Sequence, residues 1–279
     1  MPIKELRGKV AVITGAASGL GLAMAERFGA EGMRLLLADI DDERLHAAGQ
    51  RLDAAGVEVQ TLRTDVSKES QIAALADFAY DRFGAVHLLC NNAGVAVVGT
   101  SWERSTADWA WAIGVNLWSV VHGVRSFVPR MLDQGVEGHI VNTASMAGLV
   151  APPFMGPYNA SKFAVVAITE SLRAELEMSG SPVGTSVLCP GWVNTRIHES
   201  DRNRPDALRN PVEREMTPEN EGIRTMMQTM IATGMHPDEV AGRVVDAIRT
   251  NDLYVLTHPE MAEGIRGRMQ RILDHLPGA

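Results

Sequence analysis

The sequence predicts an α/β fold: one domain built on a doubly wound parallel sheet of about seven strands, with helices on both faces. Three observations carry this. Short, nearly all-apolar runs alternate with helical patterns through most of the 279 residues. Strands that apolar are buried on both faces, the condition of a parallel sheet covered by helices. A glycine-rich turn joins the first apolar run to the first helix. No linker composition or internal repeat interrupts the rhythm, so residues 1–279 read as a single domain.

The elements follow in order. The first strand is the apolar run 10–14, and a helix at 20–31 follows its glycine turn. The second strand, 34–39, ends on a carboxylate and leads to a helix at 43–54. The third strand, 57–63, precedes a helix from about 70 to 83, and the fourth, 86–91, precedes a long helix over about 106–134. The fifth strand is 138–143, followed by a helix at about 156–179 and a sixth strand at 185–189. A helix at 237–249 and a strand at 253–256 complete the sheet.

Two segments break the pattern. Residues 198–220 are rich in Asp, Glu, Arg, Asn and Pro, too polar for core, and follow a strand end where substrates bind. They are expected to form a mobile substrate lid. The tail, 259–279, carries Met261, Ile265, Met269, Ile272 and Leu276 at helical spacing. It is expected to pack on the domain or on a partner subunit.

Composition narrows the class. Hydrophobic residues make up 46%, ample for a core, and the formal net charge of −8 argues against a nucleic-acid surface. No stretch approaches the ~20 apolar residues of a membrane span. The first residues, Met-Pro-Ile-Lys-Glu-Leu-Arg, show no signal-peptide pattern, so a cytoplasmic location is expected. Cys90 and Cys189 both end apolar runs and read as reduced, buried residues, and the eight histidines show no ligand-like spacing. No metal is expected.

The turn Thr14-Gly15-Ala16-Ala17-Ser18-Gly19-Leu20-Gly21 has glycines where backbone must approach a pyrophosphate at a helix N-terminus. Asp39 lies 24 residues after Gly15, at a strand end, where a carboxylate can accept from both ribose hydroxyls of NAD and repel the 2′-phosphate of NADP. Position 40 is Ile and no cation occupies 16–18, although Arg44 lies one turn on. NAD is therefore the expected cofactor. Asp65 and Val66 end the third strand, where an adenine would lie, and Asn91-Asn92-Ala93-Gly94 end the fourth. Their small residues admit a cofactor and their amides can brace the loop.

Tyr158 and Lys162 are four residues apart, on one face of a helix. An ammonium ~4 Å from a phenol, at an effective dielectric of ~20, favours the phenolate by roughly 4 kcal/mol, or about 3 pK units. Such a tyrosine can exchange a proton near neutral pH.

Together these residues resemble the short-chain dehydrogenase/reductase family over about residues 6–258. The shared motifs are Thr14-Gly15-x-x-x-Gly19-x-Gly21, Asn91-Asn92-Ala93-Gly94, Asn116, Ser145, Tyr158-x-x-x-Lys162 and Pro190-Gly191-x-Val193-x-Thr195. The resemblance implies a Rossmann-type sheet and reversible hydride transfer between the nicotinamide and a carbinol carbon. It makes Tyr158 the general acid/base and Ser145 the hydrogen-bond partner of the substrate oxygen. Lys162 would bind the nicotinamide ribose and lower the tyrosine pKa, and Asn116 would hold a water linking Lys162 to solvent. Thr195 and Val193 would contact the carboxamide. The family habit of pairing the helices near 106–134 and 156–179 across a two-fold axis implies a homodimer or homotetramer.

Substrate-pocket residues are expected after strand ends: Val95, Ala96, Met146, Ala147, Leu149, Phe154, Met155, Trp192 and Ile197. None is cationic, which favours a bulky, uncharged or weakly polar secondary alcohol or ketone. The stretch from 113–117 through 127–131 also resembles family members that oxidise benzylic alcohols of lignin-derived aryl ethers. Two other functions compete: a cofactor-binding redox sensor on the same fold, which usually lacks the Tyr/Lys pair, and a sugar-nucleotide epimerase or dehydratase. The latter usually carries Gly-x-x-Gly-x-x-Gly and a larger C-terminal domain, and this chain has neither.

Overall fold

The computed structural model describes residues 3–210 and 218–277, with backbone alone for 218–220. Within them, β1 (Val10–Thr14), β2 (Arg34–Asp39), β3 (Val59–Arg63), β4 (Leu88–Asn91), β5 (Gly138–Thr143), β6 (Val183–Cys189) and β7 (Tyr254–Leu256) form one sheet. Its order is β3-β2-β1-β4-β5-β6-β7 and every pairing is parallel.

Alternation along the strands feeds two cores. Ala11, Ile13, Leu35 and Leu37 face α1 (Gly19–Ala30), α2 (Asp42–Ala54) and α8 (Pro237–Thr250). Val10, Val12, Leu36 and Leu89 face α3 (Glu69–Phe83), α5 (Ser119–Asp133) and α6 (Gly156–Met178). The strand order reverses between β1 and β4, and a doubly wound sheet opens its ligand crevice at that switch point. This is the Rossmann-type arrangement expected.

Several boundaries move for local reasons. β3 starts at Val59 because the Val57 amide still donates to Leu52 O, completing the end of α2. β4 starts at Leu88 because the Gln134 side chain takes both the N–H and the C=O of Val86. The expected long helix is two helices, α4 (Thr106–Ile113) and α5, joined by a π-helical turn at Gly114–Trp118. An unexpected helix, α7 (Pro218–Ala232), lies beyond the polar segment.

Of the expected lid, residues 211–217 lie outside those described. Residues 198–210 form short 3-10 turns held to α4: Arg204 bridges Asp108 at 2.8 Å and stacks on Trp111 at 4.9 Å. In the tail helix α9 (Ala262–Leu273), the apolar stripe divides. Ile265 packs against Val120, Met146 and Val165 together with Met261, which precedes the helix, whereas Met269, Ile272 and Leu276 are exposed. No described helix is long and apolar enough to cross a membrane.

Candidate active site

The glycine turn connects β1 to α1 at the switch point. Gly15 has φ +67°, a left-handed conformation that an L side chain resists. A Cβ on Gly21 would sit 2.1 Å from Gly15 O and 2.7 Å from Asn92 Nδ2, so only glycine fits. Thr14 and Asn92 brace this turn. The Thr14 hydroxyl accepts from the amides of Asn92 (2.9 Å) and Ala93 (3.2 Å), while Asn92 Nδ2 donates to Thr14 O at 3.0 Å. Asn91 instead turns its amide to Asn142 across the sheet at 2.9 Å. The Ser18 side chain makes no capping bond, which leaves the first-turn amides of α1 available to an anion.

Asp39 closes β2 with its carboxylate accepting from the amides of Ala17 and Asp41, each at 3.0 Å. Burial raises its pKa, and these backbone bonds work the other way. The cap of α2 is Asp41, which accepts from the Arg44 amide at 3.3 Å and draws the Arg44 guanidinium to 3.4 Å. Arg44 is thus paired with a neighbouring carboxylate.

Tyr158 and Lys162 lie one turn apart near the start of α6, just after Pro157, a residue suited to the first helical turn. Ser145 follows β5 and caps a 3-10 turn at Met146–Gly148, accepting from the Ala147 amide at 3.1 Å and donating to Pro190 O at 3.3 Å. Burial pushes the Tyr158 phenol above its usual value, partly offset by its hydrogen bond with Ser145. The Lys162 ammonium donates to Thr143 O at 2.8 Å and lies 5.6 Å from the Tyr158 ring centre. Burial lowers Lys162 itself to about 8.

Asn116 sits in the π-helical turn, only 1% exposed. π turns recur at functional sites. Its Oδ1 accepts from Val95 N at 2.8 Å, and its Nδ2 donates to Val95 O and to the Ser161 hydroxyl, both at 3.0 Å. It therefore fixes the strand-end loop 92–95 beside Lys162.

Two cavities meet here. A cleft of about 490 Å³ is lined by Gly15, Ser18, Gly19, Leu20, Asp39, Ile40, Asp65, Val66, Asn92, Ala93, Gly94 and Lys162. Its wall has the features a dinucleotide needs: a helix N-terminus, a strand-end carboxylate and small residues at the switch point. A second cavity of about 930 Å³ is lined by Ser145, Ala96, Met146, Ala147, Met155, Gly191, Trp192 and Val193. Leu20, Tyr158, Pro190, Thr195 and Ile197 line both.

Not every expected residue reaches its cavity. Thr14, Gly21 and Asn116 lie behind the cleft wall as braces. Gly191 and Val193 line the larger cavity instead of the cleft, and Val95 the reverse. Leu149 packs against the core that includes Val120 and Ala144. Phe154 adopts φ +64° and offers only its carbonyl, to the Gly99 amide at 2.7 Å. The expectation of a lining without cations is also corrected, since Arg104, Arg204, Arg209 and Arg224 all border the larger cavity.

Sequence reasoning missed α7, whose Ile223, Met227 and Ile231 cover that cavity at helical spacing. It also missed His258, which clamps the 190–195 loop. The Gly191 amide can only donate, so His258 Nδ1 accepts it at 3.1 Å and Nε2 donates to Trp192 O at 3.0 Å.

Comparison with known proteins agrees with this geometry. The profile of the short chain dehydrogenase family matches residues 9–206. A CLA biosynthesis dehydrogenase/reductase of Lactiplantibacillus plantarum is 36% identical over 97% of this chain and 95% of its own. A C alpha-dehydrogenase of Sphingobium is 33% identical over 98% and 88%. The crystal structure of a short chain dehydrogenase/reductase from Burkholderia phymatum in complex with NAD is 48% identical, covers 99% of both chains and superposes with a TM-score of 0.95. The fold, the motifs and these matches place the chain in the short-chain dehydrogenase/reductase family of oxidoreductases.

Proposed function

We propose that the protein transfers hydride reversibly between NAD and a bulky secondary alcohol or its ketone, with Tyr158 as the general acid/base. The observation that carries this reading is Tyr158 on the wall common to both cavities, with Lys162 in the smaller and Ser145 in the larger. A proton donor there touches the substrate oxygen while the cofactor lies on its other side.

Bound NAD supplies the hydride acceptor, and the chain does the rest. Gly15, Gly19 and the start of α1 would hold the pyrophosphate, and Asp39 would take the adenosine ribose hydroxyls. Asp65 and Val66 would flank the adenine. Lys162 would hold the nicotinamide ribose, and Val193 and Thr195 would orient the carboxamide. Ser145 hydrogen-bonds the carbinol oxygen, and Tyr158 accepts its proton in oxidation or donates one in reduction. Asn116 would hold a water linking Lys162 to solvent, beside the loop that its side chain braces at Val95.

The larger cavity suits a bulky substrate with an apolar body, since Met146, Met155, Trp192, Met227 and Ile231 border it. The described part of 198–220, together with α7, is the proposed lid. A homodimer or homotetramer is the proposed assembly, supported by Trp118 (49% exposed) and the uncovered apolar side of α9.

Tyr158→Phe tests the assignment. We expect a loss of at least ~10²-fold in kcat with NAD binding retained; unchanged turnover refutes it. A panel of secondary alcohols, read by the absorbance of reduced cofactor, identifies the substrate class.

A further inference from the structure

The charged residues around the larger cavity are mostly spoken for. Arg204 bridges Asp108 at 2.8 Å and lies 3.8 Å from Asp201. Arg209 is 2.9 Å from Asp206, and Glu103 takes the Thr100 hydroxyl. Arg104 is different. It borders the cavity, has no ion-pair partner among the described residues, and its Nε is buried without a hydrogen-bond partner; Arg204 Nη2 is likewise unpartnered, but that guanidinium already holds Asp108, and Arg224, also unpaired among the described residues, is exposed on α7.

The seat of this arginine is built into the backbone. Gly99 has φ +138°, and a Cβ there would fall 2.6 Å from both Cζ and Nε of Arg104. The guanidinium therefore lies against the bare Cα of Gly99. That residue is in turn anchored, its amide donating to Phe154 O at 2.7 Å and its strand-like bridge running to Met155. The guanidinium is thus seated at the cavity border without a carboxylate among the described residues, and because its Nε is buried, an acceptor in the cavity would meet its Nη groups.

We propose that Arg104 binds a carboxylate of the substrate, so that this site takes amphipathic hydroxy or keto acids; the inference rests on the larger cavity being the substrate site. A carboxylate fits the guanidinium fork with two parallel hydrogen bonds. A phosphate dianion fits less well, because Glu103, Asp108 and Asp201 border the same cavity and would repel its second charge. The cavity, about 930 Å³ and bordered by Met155, Met227 and Ile231, calls for an extended apolar body between carboxylate and carbinol.

Isothermal titration with octanoate and octanamide tests this without any turnover. The two share the alkyl chain and differ only at the head group, where the amide lacks both the charge and the second acceptor oxygen. Wild-type protein, with NAD present, is expected to bind octanoate at least ~10-fold more tightly than octanamide. Arg104→Met erases that preference, and Arg104→Lys, which keeps a charge but not the fork, retains part of it. Arg104→Gln gives the same reading should the methionine variant fail to fold. Equal binding of the two probes by wild type, no binding of octanoate, or a preference that survives in Arg104→Met or Arg104→Gln would overturn the proposal. Octanoate has no carbinol, so Tyr158→Phe is expected to bind it as wild type does. A failed hydride-transfer assignment therefore leaves this result standing, and the reverse.

Discussion

The ammonium of Lys162 donates to the carbonyl oxygen of Thr143 at 2.8 Å. It bonds the end of β5 instead of the tyrosine one turn away on its own helix. Both side chains are buried, with Tyr158 8% and Lys162 2% exposed, and each is shifted towards its neutral form. Desolvation is the largest cause of both shifts.

Lys162→Met should therefore be more stable than wild type at pH 7. The folded-state pKa of about 8 is below the usual 10.5, so between these values the unfolded chain holds a proton that the folded chain sheds. Stability attributable to this group rises with pH across that window. Removing the buried charge is expected to gain about 1–3 kcal/mol at pH 7, after the lost bond to Thr143 is allowed for, and little above pH ~10.5. Urea unfolding at both pH values measures it. A variant no more stable than wild type at pH 7 would contradict the account.

Asp39 should govern the choice between NAD and NADP. With Arg44 drawn to Asp41, the cation that follows most closely in sequence is already paired and is not free to receive a 2′-phosphate. The wild-type kcat/KM for NAD should exceed that for NADP by at least ~10-fold, and Asp39→Ala should lower the NAD value ~10–100-fold, the worth of a charged hydrogen bond. Steady-state kinetics with both cofactors decide this, and an NADP preference of tenfold or more would sink it.

Gly21→Ala should be among the most damaging single-methyl additions. Its Cβ would overlap Gly15 O at 2.1 Å, which forces the glycine turn and the first turn of α1 apart. A loss of about 2–3 kcal/mol and weaker NAD binding are expected. Thermal unfolding with and without NAD reads both, and an unperturbed Tm would show that the turn tolerates the shift.

His139 should set part of the acid limit. It is fully buried in β5 with Nε2 2.8 Å from the Ser186 hydroxyl, and burial lowers its pKa to about 3. Between about 6.5 and 3 the unfolded chain binds a proton that the folded chain refuses, so stability is lost as pH is lowered through that window, by up to about 1.4 kcal/mol per unit. His139→Gln should flatten that limb in denaturant titrations from pH 7 to pH 4. An unchanged slope would assign the acid sensitivity to other groups.

Much of the site was legible because its residues sit where strands end, and strands this apolar announce themselves. Gly15, Asp39, Asn92 and Ser145 follow from that register, and Tyr158 from its helical spacing with Lys162. The substrate side was harder to read. Val95 and Ala96 are adjacent in sequence, yet alternation sends one to the cofactor cleft and the other to the larger cavity. Leu149 and Phe154 look like pocket residues from composition, but one packs into the core and the other has a left-handed backbone. The helix α7 went unseen because its Ile223, Met227 and Ile231 cover a cavity and follow a polar stretch. A lone arginine in a loop, such as Arg104, carries no periodic signal at all.

By itself the sequence determined the doubly wound sheet, the glycine turn, the Asp39 strand end and the i, i+4 pairing of Tyr158 with Lys162. These depend on local pattern: burial on both faces of a strand, backbone freedom at a glycine, the pitch of a helix. The tertiary structure alone decided that Lys162 answers to Thr143, that Asn116 locks the loop at Val95, and that Arg104 borders the larger cavity with its Nε buried and unpartnered. Those are contacts between segments remote in sequence, and whether a buried charge finds a partner depends on packing that no local pattern encodes.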